Sequence, residues 1–356
     1  MNENISSAAQ AALSLLQSLI RIPRHSREED AGADFLEQEM LRRGLSPQRK
    51  GNNLWAIAPH YDASRPTLLL NAHLDTVRPV QGWTRSPYAP TLSNSCLYGL
   101  GSNDCGGGLV SLFEVFCFLR TKPQPYNLIF AASAEEEVSG QGGISSILPS
   151  LPKVDVAIVG EPTSLQPAVA ERGLMVLDCT AHGKSGHAAR QEGINALYLA
   201  LDDIQWVRTY RFPKVSDLLG PVQVSATIIQ AGTQHNVVPD TCTFTLDVRV
   251  NELYSNLEVL QIIQSHLKSE VQPRSTRLRS SSISRSHPLV LATEALGLHP
   301  FGSPTLSDQA LMPFPSMKLG PGDSARSHTA DEYIEVSDIE RAIRLYLQLL
   351  NEKPVI

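Results

Sequence analysis

Five short stretches of the chain carry side chains able to bind a metal ion or move a proton. They are His73-Leu74-Asp75, Asp104 in Gly101-Ser102-Asn103-Asp104, Glu135-Glu136-Glu137, Glu161 in Gly160-Glu161-Pro162, and His328 in Ser327-His328-Thr329. Each has a plainer reading when taken alone. His73-Leu74-Asp75 can be a polar strand end, and Asp104 a helix cap. The glutamate run can be a solvated helix start, where carboxylates suit the dipole. Glu161-Pro162 can be a turn and His328 a surface histidine. Together they ask for more. Carboxylates beside apolar strands are costly unless paired or metal-bound, and adjacent carboxylates repel unless a cation neutralises them.

The elements that must position these groups are legible as apolar runs. Residues 67–72, 127–132 and 154–160 are nearly all apolar, as expected of strands covered by helices on both faces. Each leads into one of the groups above. Between the first two lies an apolar helix, 106–120, beginning just after Asp104. Strands alternating with helices read as an α/β layer fold, and ligands in such sheets bind beyond the carboxyl ends of the strands. Near the N-terminus, Ser26 and Glu29 form a capping-box pattern ahead of Phe35, Leu36 and Met40, and Gly44 stops that helix. A second such pattern, Ser337 and Glu340, accompanies Ile339, Ile343, Leu345 and Leu349.

The middle of the chain changes character. A strand at 174–181, a helix at 194–208, a strand pair at 222–230 and 241–250, a helix at 255–268 and a polar strand near 274–279 give β-α-β-β-α-β, the ferredoxin-like order. A Ser- and Arg-rich linker, 279–286, leads back. The expected division is 1–170 and 285–356 as two segments of one catalytic domain, with 171–284 inserted as a smaller domain.

Bulk properties narrow the function classes. A chain of 356 residues suits two or three lobes rather than one core. A net charge of -6 argues against a nucleic-acid or anionic-membrane partner. No apolar run reaches the roughly 18 residues of a membrane span, and Met1 to Gln10 lack the pattern of a signal peptide. The five cysteines include no CxxC pair and suit a reducing cytoplasm. Any metal must then be held by His, Asp and Glu.

Extended, the stretches read Asn71-Ala72-His73-Leu74-Asp75, Gly101-Ser102-Asn103-Asp104-Cys105-Gly106-Gly107, Ala134-Glu135-Glu136-Glu137, Val159-Gly160-Glu161-Pro162-Thr163 and Ser327-His328-Thr329-Ala330-Asp331-Glu332-Tyr333. In type and order this set resembles the co-catalytic zinc aminoacylase and exopeptidase family, which includes acetylornithine deacetylase, succinyl-diaminopimelate desuccinylase, aminoacylase and carboxypeptidase G. The resemblance implies an α/β zinc-hydrolase catalytic domain, its mixed sheet between helices, and an inserted ferredoxin-like lid and dimerisation domain. It implies two Zn2+, with Co2+ or Mn2+ able to substitute. His73 and Glu161 would ligate one ion, Glu136 and His328 the other, and Asp104 would bridge them. Asp75 would hydrogen-bond His73 from behind, and Glu135 would be the general base. Two positions depart from the family, Leu100 where Arg is frequent and Cys105 where Met is frequent; neither is a ligand.

The resemblance extends into the small domain. His187, in Gly183-Lys184-Ser185-Gly186-His187, would stabilise the oxyanion, and Asn236, in His235-Asn236-Val237-Val238-Pro239, would contact the substrate. Arg249 matches an arginine that clamps the substrate carboxylate through two parallel hydrogen bonds, with Arg172 as a second candidate. Gly322, in Gly320-Pro321-Gly322-Asp323, would let backbone N–H groups approach the substrate. The implied reaction is hydrolysis of the N-acyl amide of a small amino acid, closest to N-acetylornithine giving ornithine and acetate. N-succinylornithine, N-acetylcitrulline, N-succinyl-diaminopimelate or a dipeptide are the alternative substrates. A cytoplasmic homodimer, paired through the inserted domain, is expected. An amino-acid binding protein on a hydrolase scaffold is the non-enzymatic alternative.

Overall fold

Apolar runs without polar alternation make stable strands only where both faces are covered, and the chain uses them so. The computed structural model describes residues 2–190 and 192–354. The strands Thr67–His73, Asn127–Ser133 and Val156–Val159 are buried along their whole length. Thr67–His73 lies parallel between the other two, and Ser316–Lys318 adds a fourth parallel strand beside Val156–Val159. Asn53–Ile57 pairs antiparallel with Asn127–Ser133, so the sheet is mixed. The carboxyl ends of the parallel strands therefore open on one edge, where His73, the glutamate run and Glu161 follow.

Alternate residues of these strands serve opposite faces. On one face the helix Gly107–Leu119 lays Phe113 and Phe116 against Phe130, with ring centroids 5.3 and 5.9 Å apart. The helices Asn2–Ile20 and Val336–Leu350 flank it. On the other face Leu69, Ile129, Ala131 and Val159 pack on Ile144, Ile147 and Met312. One glycine fixes the approach of helix to sheet. A Cβ at Gly108 would lie 1.6 Å from the carbonyl oxygen of Gly160, so only glycine lets the helix start this close to the Glu161 strand end.

Both terminal capping patterns turn out otherwise. The helix Asp30–Arg42 has Glu29 at its N-cap with no side-chain cap bond, because Ser26 and Glu29 are engaged elsewhere, as described below. Val336–Leu350 begins one residue before Ser337, which therefore lies inside the helix. Its buried stripe of Ile339, Ile343 and Leu349 is as expected, and Leu345 is half-buried.

The chain divides into two compact units. One comprises Met1–Val169, Ile283–Phe301 and Ser307–Ile356; the other comprises Ala170–Ser282 and Gly302–Leu306. The second unit holds an antiparallel sheet in the order Gln223–Ala231, Thr241–Val250, Gly173–His182, Glu270–Pro273, with helices Ala196–Thr209 and Asn256–His266. Leu177, Cys179, Phe244, Leu246, Ala200 and Ile263 form its core. The last strand falls at Glu270–Pro273 rather than 274–279, because Val271 is the apolar residue that enters the core, while Arg274 bonds Asp178 at the surface. Asn256–His266 carries a true capping box, Ser255 with Glu258. Among the described residues no helix is long and apolar enough to cross a membrane.

Candidate metal centre

Each motif residue is delivered by the end of an element. His73 is the last residue of its strand and is 1% exposed. Its Nδ1 lies 2.9 Å from the main-chain oxygen of Asp75. A ring that donates there leaves Nε2 as the free lone pair. That Nε2 lies 3.1 Å from Asp104 Oδ1 and 3.7 Å from Glu161 Oε1. The other oxygen of Asp104 faces the opposite way, 3.6 Å from Nε2 of His328. His328 in turn lies 2.8 Å from Glu137 Oε2. One carboxylate, Asp104, thus stands between two imidazoles, each with a further glutamate beside it.

The glutamate run is where the structure departs most from expectation. His328 meets Glu137, not Glu136. The cause is the turn after the strand Asn127–Ser133. Glu135 takes a left-handed conformation (φ 53°), and its main-chain oxygen accepts from the Gly140 N–H at 2.8 Å. Its carboxylate accepts from the Gly142 N–H at 3.2 Å and lies 4.0 Å from Arg27. Glu135 therefore faces away from the histidines, and the run enters the centre one residue later than expected. Glu136 then turns inward. Burial, followed by the charges of Glu161, Asp308 and Glu137 against the opposing His73, holds its carboxyl well above the usual range.

Asp75 also serves differently. Its carboxylate is 3.6 Å from His73 Nδ1, and its hydrogen bonds go to the Glu136 and Glu137 N–H groups at 3.0 and 3.2 Å. Ser26 donates to it at 2.7 Å, and Glu29 accepts from the Glu135 N–H at 3.0 Å. Ser26, Asp75 and Glu29 together fix the glutamate turn. Neither Ser26 nor Glu29 is marked by the sequence as anything but a helix cap. Asp308, also unmarked, is fully buried beneath this turn and accepts from the Ser133 hydroxyl. Burial pushes its carboxyl up to about 7.

The donor chemistry fits divalent cations. Burial and then the Asp104 charge push Glu161 up to about 8, and the hydrogen bond to Glu137 pushes His328 up to about 9. Buried carboxylates that crowd one another in this way call for positive charge. One donor atom each from His73, Asp104 and Glu137 lie within 4.8 Å of one another. Imidazole and carboxylate together suit zinc and its neighbours. Cys105, joined to Asp104 by a cis peptide, accepts from the His73 N–H at 3.2 Å, and burial raises its thiol so that it stays protonated.

A model of peptidase family M20/M25/M40 matches residues 69–352, most of the chain. The chain belongs to this family. It is a metal-dependent hydrolase. Among M20 relatives, an acetylornithine deacetylase of Buchnera aphidicola is 26% identical over 307 residues, covering 80% of each chain. A putative succinyl-diaminopimelate desuccinylase of Mycobacterium tuberculosis is 29% identical over 352 residues, covering 95% of this chain and 97% of its own. The fold matches a Bacillus subtilis M20 protein, described as a dinuclear metal binding peptidase, with a TM-score of 0.73 at 16% identity over 97% of this chain and 98% of that one.

The remaining expected site residues have other local engagements. Gly322 has φ +85°, and a Cβ there would lie 2.2 Å from Asn103 Oδ1, so glycine is needed for the loop to pack on the Asp104 segment. Its carbonyl accepts from the Ser164 N–H at 2.7 Å. His187, Asn236, Arg172 and Arg249 all belong to the second unit. His187 and Asn236 are exposed near a short strand pair in which His187 faces Val237. The Asn236 carbonyl accepts from the Ala188 N–H at 3.0 Å. Arg249 is held in a two-pronged pair by Asp247 at 2.7 and 3.0 Å. Arg172 donates to the carbonyls of Pro221, at 3.0 Å, and Leu219. Its guanidinium thus braces the backbone in this conformation.

Proposed function

We propose that the chain is a two-zinc amidohydrolase that removes the acyl group from the nitrogen of a small amino acid, with N-acetylornithine as its leading substrate. The observation that carries this reading is the Asp104 carboxylate, one oxygen 3.1 Å from His73 and the other 3.6 Å from His328. His73, Asp104 and Glu161 would hold one ion, and Asp104, Glu137 and His328 the other. When bound, such a pair lowers the pKa of water and polarises the amide carbonyl.

The chain's own residues supply the proton transfers. Glu136 is half-buried among the charges of His73, Glu161, Asp308 and Glu137, and its carboxylate makes no side-chain hydrogen bond among the described residues. It is the group placed to take a proton from the attacking water and to hand it to the leaving amine. Glu135, turned towards Gly142, is not. Asp75 and Glu29, by gripping three successive N–H groups, hold Glu136 and Glu137 at fixed positions. His187 and Asn236 are proposed to contact the substrate, and Arg249 to exchange Asp247 for the substrate carboxylate, with Arg172 and Gly322 as weaker contributors. Co2+ or Mn2+ would substitute for zinc, since these donors accept several divalent ions.

The substrate assignment draws on relatives named as acetylornithine deacetylases. A succinylated amino acid is the second reading, favoured by the desuccinylase that covers 95% of this chain. Pairing of two copies is proposed through the second unit, whose edge strand Gln223–Ala231 exposes Ile228 and Ile229. The cytoplasm as its location rests on five cysteines that are all free. Release of free amine from N-acetylornithine, N-acetylcitrulline, N-succinylornithine and N-succinyl-diaminopimelate tests the reading. Turnover of one, lost in Glu136→Gln, supports it. No turnover of any by protein carrying two zincs would leave a dipeptidase or an amino-acid binding protein.

A further inference from the structure

The ladder between the strands Tyr333–Glu335 and Cys96–Tyr98 ends with the Gly99 N–H donating to the Glu332 carbonyl at 3.0 Å. This places the Glu332 side chain beneath the loop that follows. Glu332 is 2% exposed. One oxygen accepts from the Gly101 N–H at 2.8 Å; the other accepts from the N–H groups of Asn103 and Asp104 at 2.8 and 2.9 Å. Three N–H donors of the Asp104 loop therefore converge on one anion, while the intervening Ser102 N–H donates to the Gly99 carbonyl at 3.1 Å. Such charge-assisted bonds are shorter and stronger than neutral ones.

The grip has a counterpart on the carbonyl side. Arg24, also buried, donates to the Gly101 carbonyl at 3.3 Å and to the carbonyl of Leu74, which lies between His73 and Asp75. Gly101 itself has φ +69°, and a Cβ there would meet Thr76 at 2.4 Å and Arg24 at 2.9 Å. Glu332 is also four residues from His328 in the chain. The same short segment thus delivers one imidazole and holds the loop of the carboxylate shared between both.

We propose that Glu332 is a positioning residue that sets the distance between Asp104 and His328 and thereby the affinity of the site for its second metal ion. It touches neither substrate nor metal. The inference rests on the two-metal reading above. Its natural control is the neighbouring Asp331, which also accepts three bonds, from the Thr84 N–H and hydroxyl and the Arg85 N–H at 3.0, 2.6 and 3.0 Å, but none from the Asp104 loop.

The test is zinc binding by the full-length metal-free protein, in competition with a chromophoric chelator, together with thermal unfolding of the metal-free forms. Glu332→Gln keeps the shape but offers one acceptor where two are used. Its second zinc should bind about 10–100-fold more weakly, the usual effect of losing a partner behind a ligand. Asp331→Asn should bind both ions as the parent does, whatever its unfolding temperature. Equal affinities in Glu332→Gln and the parent would overturn the proposal and leave Glu332 a purely structural anion. Should Glu332→Gln fail to fold, Glu332→Asp, with the charge drawn back by one methylene, reads the same quantity: weakened second-site binding supports the proposal and parental affinity overturns it. A parent protein that binds fewer than two zincs would instead refute the underlying two-metal reading.

Discussion

Three adjacent glutamates end in three different surroundings, and the difference is made by backbone rather than by side-chain type. Glu135 bends through a left-handed conformation and folds back on Gly142; Glu136 stands half-buried among other carboxylates; Glu137 meets His328. If that division sets their roles, Glu137→Ala should cost metal binding. Elemental analysis after dialysis should find about one ion per chain, against two in the parent. Asp104→Ala should lose both, since one side chain serves each imidazole. The residue types at the site were legible, and the fold brings His73, Asp104, Glu161 and His328 together. The register within Glu135-Glu136-Glu137 was not, because a single residue of positive φ leaves no trace in three identical letters. Ser26 and Glu29 misled for a related reason. A serine and a glutamate three apart fit a helix cap equally well whether they bond the helix or, as here, Asp75 and the Glu135 N–H.

At the scale of elements, the site depends on how closely the helix Gly107–Leu119 approaches the sheet. The start of that helix and the end of the Val156–Val159 strand meet backbone to backbone at Gly108 and Gly160, fixing Asp104 relative to Glu161. Gly108→Ala should therefore destabilise the fold by about 3 kcal/mol or more, the range of severe overpacking, because the clash is with main chain that cannot swing aside. The midpoint of urea unfolding is the measure; an unchanged midpoint would show that helix and strand can separate freely. The central strands and the helix Gly107–Leu119 were readable because burial on both faces leaves few polar letters, and Val336–Leu350 was readable from its apolar stripe at helical spacing. The helix start at Val336 and the short final strand of the second unit were not. In both, tertiary pairing outweighed local signals, through the Tyr333–Glu335 strand in one case and Val271 in the other.

For the molecule as a whole, the metal ions should be part of the fold's stability. Crowded buried carboxylates that lack a cation favour opening, and a ligand held only by the folded chain stabilises it by mass action. At free zinc a thousandfold above its dissociation constant the gain is about 4 kcal/mol. Chelation should lower the unfolding temperature, and zinc should restore it in proportion to the logarithm of its concentration; an unfolding temperature indifferent to zinc would contradict the reading. If two copies pair through the exposed strand Gln223–Ala231 as proposed, Ile229→Asp should give a monomer mass by light scattering where the parent gives a dimer, while leaving that zinc dependence intact.

The hydrolysis is proposed to need two metal ions and the Glu136 carboxylate. The most direct test is turnover and metal content measured together in Glu135→Gln and Glu136→Gln, on whichever amide the parent cleaves. Glu136→Gln should keep both ions and lose about 10²–10⁴-fold in kcat, the usual contribution of a general base, whereas Glu135→Gln should stay within about tenfold of the parent. The reverse outcome, with Glu135→Gln inactive and Glu136→Gln short of one metal, would show that the working enzyme uses a different register of the glutamate turn and would contradict the assignment made here.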